Sequence, residues 1–207
     1  MNREVLRSIV ARGTVGIAGA GGLGSNCAAS LVRSGVRRLV IADFDRVSEG
    51  NLDRQFFFFD QIGQLKVDAL AENLRRIDPA ITIEAHPVRL ETDNVRSIFA
   101  NCDIIVEAFD NAESKAMIAE TVLTAFPDIH LVSASGLAGI GNLEDIRVVH
   151  RGQLHLCGDF TREVGPECPP VAPRVSIVAN FEADIVLQLL IEWKGRQKAG
   201  SSIKNGS

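Results

Sequence analysis

A short apolar run, TVGIAGAG at residues 14–21, ends in glycines and passes directly into residues at helical spacing. Cys27, Ala28, Leu31 and Val32 mark one face of a helix between Ser25 and Ser34, and Gly35 is a plausible stop. Strand, glycine turn, helix is a demanding arrangement, and the rhythm then repeats. RRLVIAD (37–43), ITIEAHPV (81–88), DIIVEAF (103–109) and IHLVSAS (129–135) read as strands. Between them, Leu65, Leu70, Leu74 and Ile77 mark a helix ending before Pro79, a short helix is expected near Val95–Phe99, and AESKAMIAETVLTAF (112–126) is a third helical stretch. Alternation of this kind predicts an α/β fold, a Rossmann-like, mostly parallel sheet with helices on both faces. After residue 136, NLEDIRVVHR and LHLCG suggest a hairpin that adds an antiparallel C-terminal extension. Residues 158–173 hold four of the seven prolines and read as a loop before a long helix with Val178, Phe181, Ile185, Leu189 and Trp193 on one face.

At 207 residues, the chain is expected to be one domain, 1–207, with a mobile tail over 196–207. No apolar run approaches the length of a membrane span and no signal peptide is visible, so a cytoplasmic protein with reduced thiols is expected and no membrane partner. A net charge of −4 argues against nucleic acid. Cys27, Cys102, Cys157 and Cys168 form no C-x-x-C pair, so no zinc is expected.

The glycine turn GAGGLGS (19–25) is where chemistry would sit. A phosphate chain approaches only backbone that lacks side chains, and the start of a helix offers free N–H groups and the positive end of a dipole. Gly19, Gly21 and Gly24 fit G-x-G-x-x-G, with Gly22 between them, and Asp43 ends the next strand where a ribose-gripping carboxylate belongs. These features favour a nucleotide without saying which; an NAD-dependent oxidoreductase would show them too.

The stretch DFDRVSEGNLDRQFFFF (43–59) carries Asp43, Asp45, Asn51, Arg54 and Gln55 into four phenylalanines. Arg54 suits a phosphate clamp, because its planar fork bonds two oxygens at once. Burial of Phe56 to Phe59 would anchor its loop. Spacing alone equally allows a surface arginine beside core-filling aromatics.

GAGGLGS, ADFDRVSEGNLDRQFF, GQLKVDAL, IDPAI and EAFDN, in this order, give residues 16–111 a specific resemblance to the ThiF/MoeB/HesA family, relatives of ubiquitin-activating enzymes. The short bacterial ThiF proteins of thiamine biosynthesis are the nearest in pattern. The resemblance implies ATP over the glycine turn, held by Gly19, Gly21, Gly22, Gly24, Asp43, Asp45, Asn51, Arg54, Gln55 and Lys66. Asp110 would hold Mg²⁺, and Arg54, Lys66 and Asp110 would act in catalysis. Cys168, in the proline-rich loop, would be a nucleophile toward an acyl-adenylate. From the residues alone, Lys66 fits a solvated helix lysine, Asp110 or Asn111 a helix cap, and Cys168 an unreactive loop thiol.

The implied reaction is adenylation of the C-terminal glycine of a ubiquitin-like sulfur carrier, ThiS, followed by transfer from a sulfur donor. A molybdopterin-type carrier or a tRNA nucleoside would be alternative acceptors, and a homodimer is expected. In many relatives an N-terminal arginine reaches the partner's site; Arg3, Arg7 and Arg12 are candidates here.

Overall fold

The computed structural model describes the backbone of residues 1–204 and the side chains of residues 1–192. The tail expected over 196–207 lies outside the described side chains, as does the side chain of Trp193.

Seven strands form one sheet: β1 (Val15–Ala18), β2 (Arg38–Ala42), β3 (Thr82–His86), β4 (Ile104–Glu107), β5 (His130–Ala134), β6 (Arg147–Arg151) and β7 (Leu154–Gly158). Their order is β3-β2-β1-β4-β5-β7-β6. Six run parallel; β6 alone is antiparallel, paired to β7 with Val149 opposite Leu156. The expected C-terminal hairpin therefore contributes a parallel strand as well as an antiparallel edge. The order reverses between β1 and β4, which opens a crevice at their carboxyl ends.

Helices cover both faces. On one lie α1 (Arg3–Val10), α2 (Gly22–Ser34), α3 (Lys66–Ile77) and α6 (Ala172–Lys204), around Leu31, Val32, Leu70, Leu74, Val178 and Leu190. On the other, α4 (Thr92–Ile98) and α5 (Ala112–Ala125) enclose Val95, Phe99, Ile105, Ile118 and Leu131. Strands β1 and β4 are buried along their whole length, as continuous apolar runs under two helical layers must be. No helix among the described residues is long and apolar enough to cross a membrane.

Two helix starts near the site differ from the sequence reading, and one helix is additional to it. Helix α2 starts at Gly22, not Ser25, so Gly22 and Gly24 belong to its first turn; Gly35 ends it in the left-handed region at φ 111°. Helix α6 starts at Ala172 and takes Pro173 into its first turn, where a missing N–H costs nothing. The N-terminal residues form α1, whose start Asn2 caps by accepting from Val5 N–H at 2.9 Å. Arg7 on α1 donates to the Arg33 carbonyl and lies against Gly35.

Candidate active site

The carboxyl ends of β1, β2 and β4 bring most of the expected residues into one crevice. The glycine turn leaves β1 with Gly19 in the left-handed region at φ 101°, its N–H bonded to the Ala42 carbonyl of β2. A Cβ at Gly24 would fall 1.8 Å from the Gly19 carbonyl oxygen, so Gly24 is fixed by packing. At Gly21 the nearest atom to such a Cβ is Gln55 Nε2, 3.9 Å away, so this backbone is open to a ligand.

Asp43 holds the turn in place: Oδ2 accepts from Ala20 N–H at 2.7 Å and Oδ1 from Asp45 N–H at 2.8 Å. Beside it Phe44 is half exposed, with the Arg89 guanidinium 4.1 Å from the ring centre. Asp45 pairs with Lys66 across 2.8 Å, at the start of α3.

The Arg54 loop is tied to the glycine turn by two side chains of α2. Ser25 Oγ donates to the Gly21 carbonyl at 2.6 Å and accepts from Phe56 N–H at 3.0 Å. Asn26 Nδ2 donates to the carbonyls of Gly22 and Arg54. Asn51 Oδ1 accepts from Ser48 N–H and caps a short 3-10 turn. Arg54 Nη1 donates to the Gly50 carbonyl at 2.9 Å and to Asp53 Oδ1 at 2.7 Å. Gln55 Oε1 is buried with no hydrogen-bond partner, beside the turn.

The phenylalanine run anchors the loop only in part, against the expectation that all four rings are buried. Phe57 alone is buried and Phe56 partly so, whereas Phe58 and Phe59 are 46% and 76% exposed. The loop is held largely by two buried amides: Asn73 donates to the Phe56 carbonyl, Gln61 accepts from Phe58 N–H, and the two side chains bond each other at 2.9 Å. Four consecutive rings cannot all face inward from one short segment, and the amides satisfy its backbone instead.

Asp110 is exposed beyond β4. Asn111, not Asp110, caps α5, accepting from Ser114 N–H at 2.8 Å. A carboxylate at the crevice that the cap does not consume fits a hard cation, which takes oxygen ligands.

Cys168 lies against Gly139, beside Arg162. Its loop is strapped by Asp159, which accepts from Thr161 N–H, Arg162 N–H and Arg174. Burial by itself would raise the Asp159 carboxyl, but these hydrogen bonds outweigh it and hold the group below its ordinary range. Of the four thiols only Cys168 is not buried. Burial pushes Cys102 up to about 12 and raises Cys27 and Cys157 strongly, so those three are thiols rather than thiolates at neutral pH.

Ser25, Asn26, Gln61, Asn73 and Arg89 were not found from the sequence. Single polar residues on amphipathic helices give no signal until the loop they touch is known.

A glycine turn on a helix start, an acid that braces it and cationic side chains near the switch point of a parallel sheet are the marks of a nucleotide-binding α/β domain. The chain belongs to the ThiF family, whose profile matches residues 4–205. The adenylyltransferase and sulfurtransferase MOCS3 of Caenorhabditis briggsae is 34% identical over 190 residues, 88% of this chain and 43% of that protein. The sulfur carrier protein adenylyltransferase of Thermus thermophilus is 34% identical over 108 residues, 52% of this chain and 40% of that protein. The chain thus spans less than half the length of these curated relatives. Among solved structures, the E. coli tRNA N6-threonylcarbamoyladenosine dehydratase TcdA in complex with ATP superposes with a TM-score of 0.84 at 20% identity, covering 94% of this chain and 92% of that one. Its complex with AMP gives 0.84 at 19% identity.

Proposed function

We propose that the protein adenylates the C-terminal glycine carboxylate of a ubiquitin-like sulfur carrier, ThiS, at the expense of ATP. The observation that carries this reading is the convergence of the glycine turn, Asp43, the Asp45–Lys66 pair, the Arg54 loop and Asp110 on one crevice. The curated names of the relatives, adenylyltransferases including one for a sulfur carrier protein, support it.

The triphosphate lies along the backbone of Gly21 and Gly22, the ribose meets Asp43, and Phe44 with Arg89 offers a flat face to the base. A carboxylate oxygen of the carrier attacks the α-phosphorus, the bond to the β-phosphate oxygen breaks, and pyrophosphate leaves. Lys66 and Arg54 stabilise the charge that spreads over the phosphate oxygens; fixed cations in a partly dry site need no reorganisation as the charge develops. Mg²⁺ would be held by Asp110 and would neutralise the departing pyrophosphate. Asn51 and Gln55 complete the polar wall. Cys168 is the candidate nucleophile for the next step: its sulfur attacks the acyl carbon, AMP leaves, and the thiol proton passes to solvent. A donor's sulfide-level sulfur then attacks the thioester carbon, the bond to Cys168 breaks, its thiolate takes up a proton, and the carrier leaves as a thiocarboxylate for thiazole synthesis. The protein works in the cytoplasm as a homodimer.

Carrier-dependent ATP–pyrophosphate exchange tests this. Exchange stimulated by ThiS, and lost in Arg54→Ala and Asp110→Ala, is expected. Stimulation by a molybdopterin-type carrier or by tRNA instead would move the acceptor, and NADH binding without ATP binding would overturn the reading. Cys168→Ala should leave exchange intact and abolish a covalent carrier adduct seen by mass spectrometry.

A further inference from the structure

Glu107, the last residue of β4, is 1% exposed and joins four segments. Its Oε1 accepts from Phe109 N–H at 2.7 Å and from Lys115 Nζ at 3.0 Å. Its Oε2 accepts from Lys115 at 3.0 Å and from Ser133 Oγ at 2.5 Å. Lys115, one turn into α5, spends its third N–H on the Ala134 carbonyl of β5 at 3.0 Å. All three ammonium protons are therefore engaged, so Lys115 is not a spare phosphate cation.

The geometry fixes the chain between β4 and α5. Ala108 N–H bonds the Ala18 carbonyl, and the Ala108 carbonyl oxygen lies 3.0 Å from where a Cβ on Gly19 would stand. The turn at 108–110 is thus wedged between the glycine turn on one side and the Glu107 carboxylate on the other. We propose that Glu107 and Lys115 are positioning residues: their ion pair, seated on Ser133 and Ala134, sets where Asp110 stands relative to the phosphate seat. This rests on the reading of Asp110 as the cation ligand. A buried ion pair is weak evidence for stability, because neutral groups of similar shape often replace it at little cost. What the pair provides here is the fixed path of one short turn.

The test compares wild type, Asp110→Ala and the double variant Glu107→Gln/Lys115→Met, which removes both charges together. Binding of Mn²⁺ in the presence of a non-hydrolysable ATP analogue is followed by paramagnetic resonance of the free ion. Nucleotide affinity in EDTA and the urea midpoint are measured alongside. In the double variant, Mn²⁺ affinity should fall about tenfold, as for other groups that orient a metal ligand, with midpoint and EDTA affinity close to wild type. The single variant Lys115→Arg, which keeps a charged donor facing Glu107, should lose less Mn²⁺ affinity than the double variant. If the double variant unfolds early, Ser133→Ala takes its place, with an expected loss of about fivefold for one hydrogen bond. Wild-type Mn²⁺ affinity in the double variant, with Asp110→Ala impaired, overturns the positioning role alone. Wild-type affinity in Asp110→Ala removes Asp110 as ligand and the brace with it.

Discussion

Lys66 Nζ lies 2.8 Å from Asp45 Oδ2, and the Lys66 N–H also bonds the Asp45 carbonyl at 2.9 Å. The lysine side chain is 8% exposed and the aspartate 47%. The pair thus places a largely dehydrated cation at the crevice wall, bonded to a half-exposed acid. Lys66→Met should leave the urea midpoint nearly unchanged, since cation and partner need no longer be held together. It should slow exchange about 100-fold, the usual scale for one preorganised electrostatic contact. Asp45→Ala strands the ammonium and should lower stability by about 2 kcal/mol, the discounted cost of breaking a half-buried pair. A variant of Lys66 with wild-type exchange would remove it from the chemistry.

Arg54 is turned onto Asp53, an exposed acid, at 2.7 Å. A phosphate would have to displace this contact. Asp53→Ala should therefore tighten ATP binding rather than weaken it. An exposed pair is worth at most about 1 kcal/mol, so the gain is no more than about fivefold by calorimetry. Weaker binding would mean that Asp53 holds Arg54 in its working position.

Two glycines of one turn should respond differently to alanine. Gly24→Ala drives a Cβ into backbone and should lower the melting temperature severely or prevent folding. Gly21→Ala meets no atom closer than 3.9 Å, so the fold should survive while nucleotide affinity falls. Fluorescence titration on the folded Gly21→Ala protein decides this; unchanged affinity would place the phosphates elsewhere.

Stability should fall toward both acid and alkaline pH, for separate reasons. Burial, with His130 and His150 beside it, pushes His155 down from 6.5 to about 4, and Glu192 opposes this only in part. The folded state then refuses a proton that the unfolded chain takes. Stability is full above pH 6.5 and is lost as pH falls toward 4, by at most about 3 kcal/mol. Glu182 is wholly buried without a hydrogen-bond partner, and burial raises its carboxyl well above 4.5, with Lys115 and Glu107 pulling in opposite directions. Here the unfolded chain releases a proton that the folded state keeps, so stability declines as pH rises above 4.5. Urea midpoints between pH 4 and 8 should lose their acid slope in His155→Gln and their alkaline slope in Glu182→Met.

The alternation of apolar runs and helical stretches carried the sheet, because a strand under two helical layers is mostly apolar, with Glu107 and Ser133 as buried exceptions near strand ends. The glycine turn and Asp43 were readable for the same reason: their chemistry is local. Helix α1 has a readable cap in Asn2, but with Val10 its one buried residue it carries little apolar pattern. The misjudged Phe58 and Phe59 show the limit of composition, which gives hydrophobicity but not direction. The Gln61–Asn73 lock and the Glu107–Lys115 pair are invisible before folding, because each joins polar residues whose partnership depends on how a loop is routed.

Ser25 is a small side chain with a large reach. Its single hydroxyl grips the turn below and the arginine-bearing segment above, so cradle and clamp share one hinge-free mounting. On the proposed function, a nucleotide entering such a seat would find both walls already at their working separation, so that binding need not wait for the arginine-bearing loop to settle.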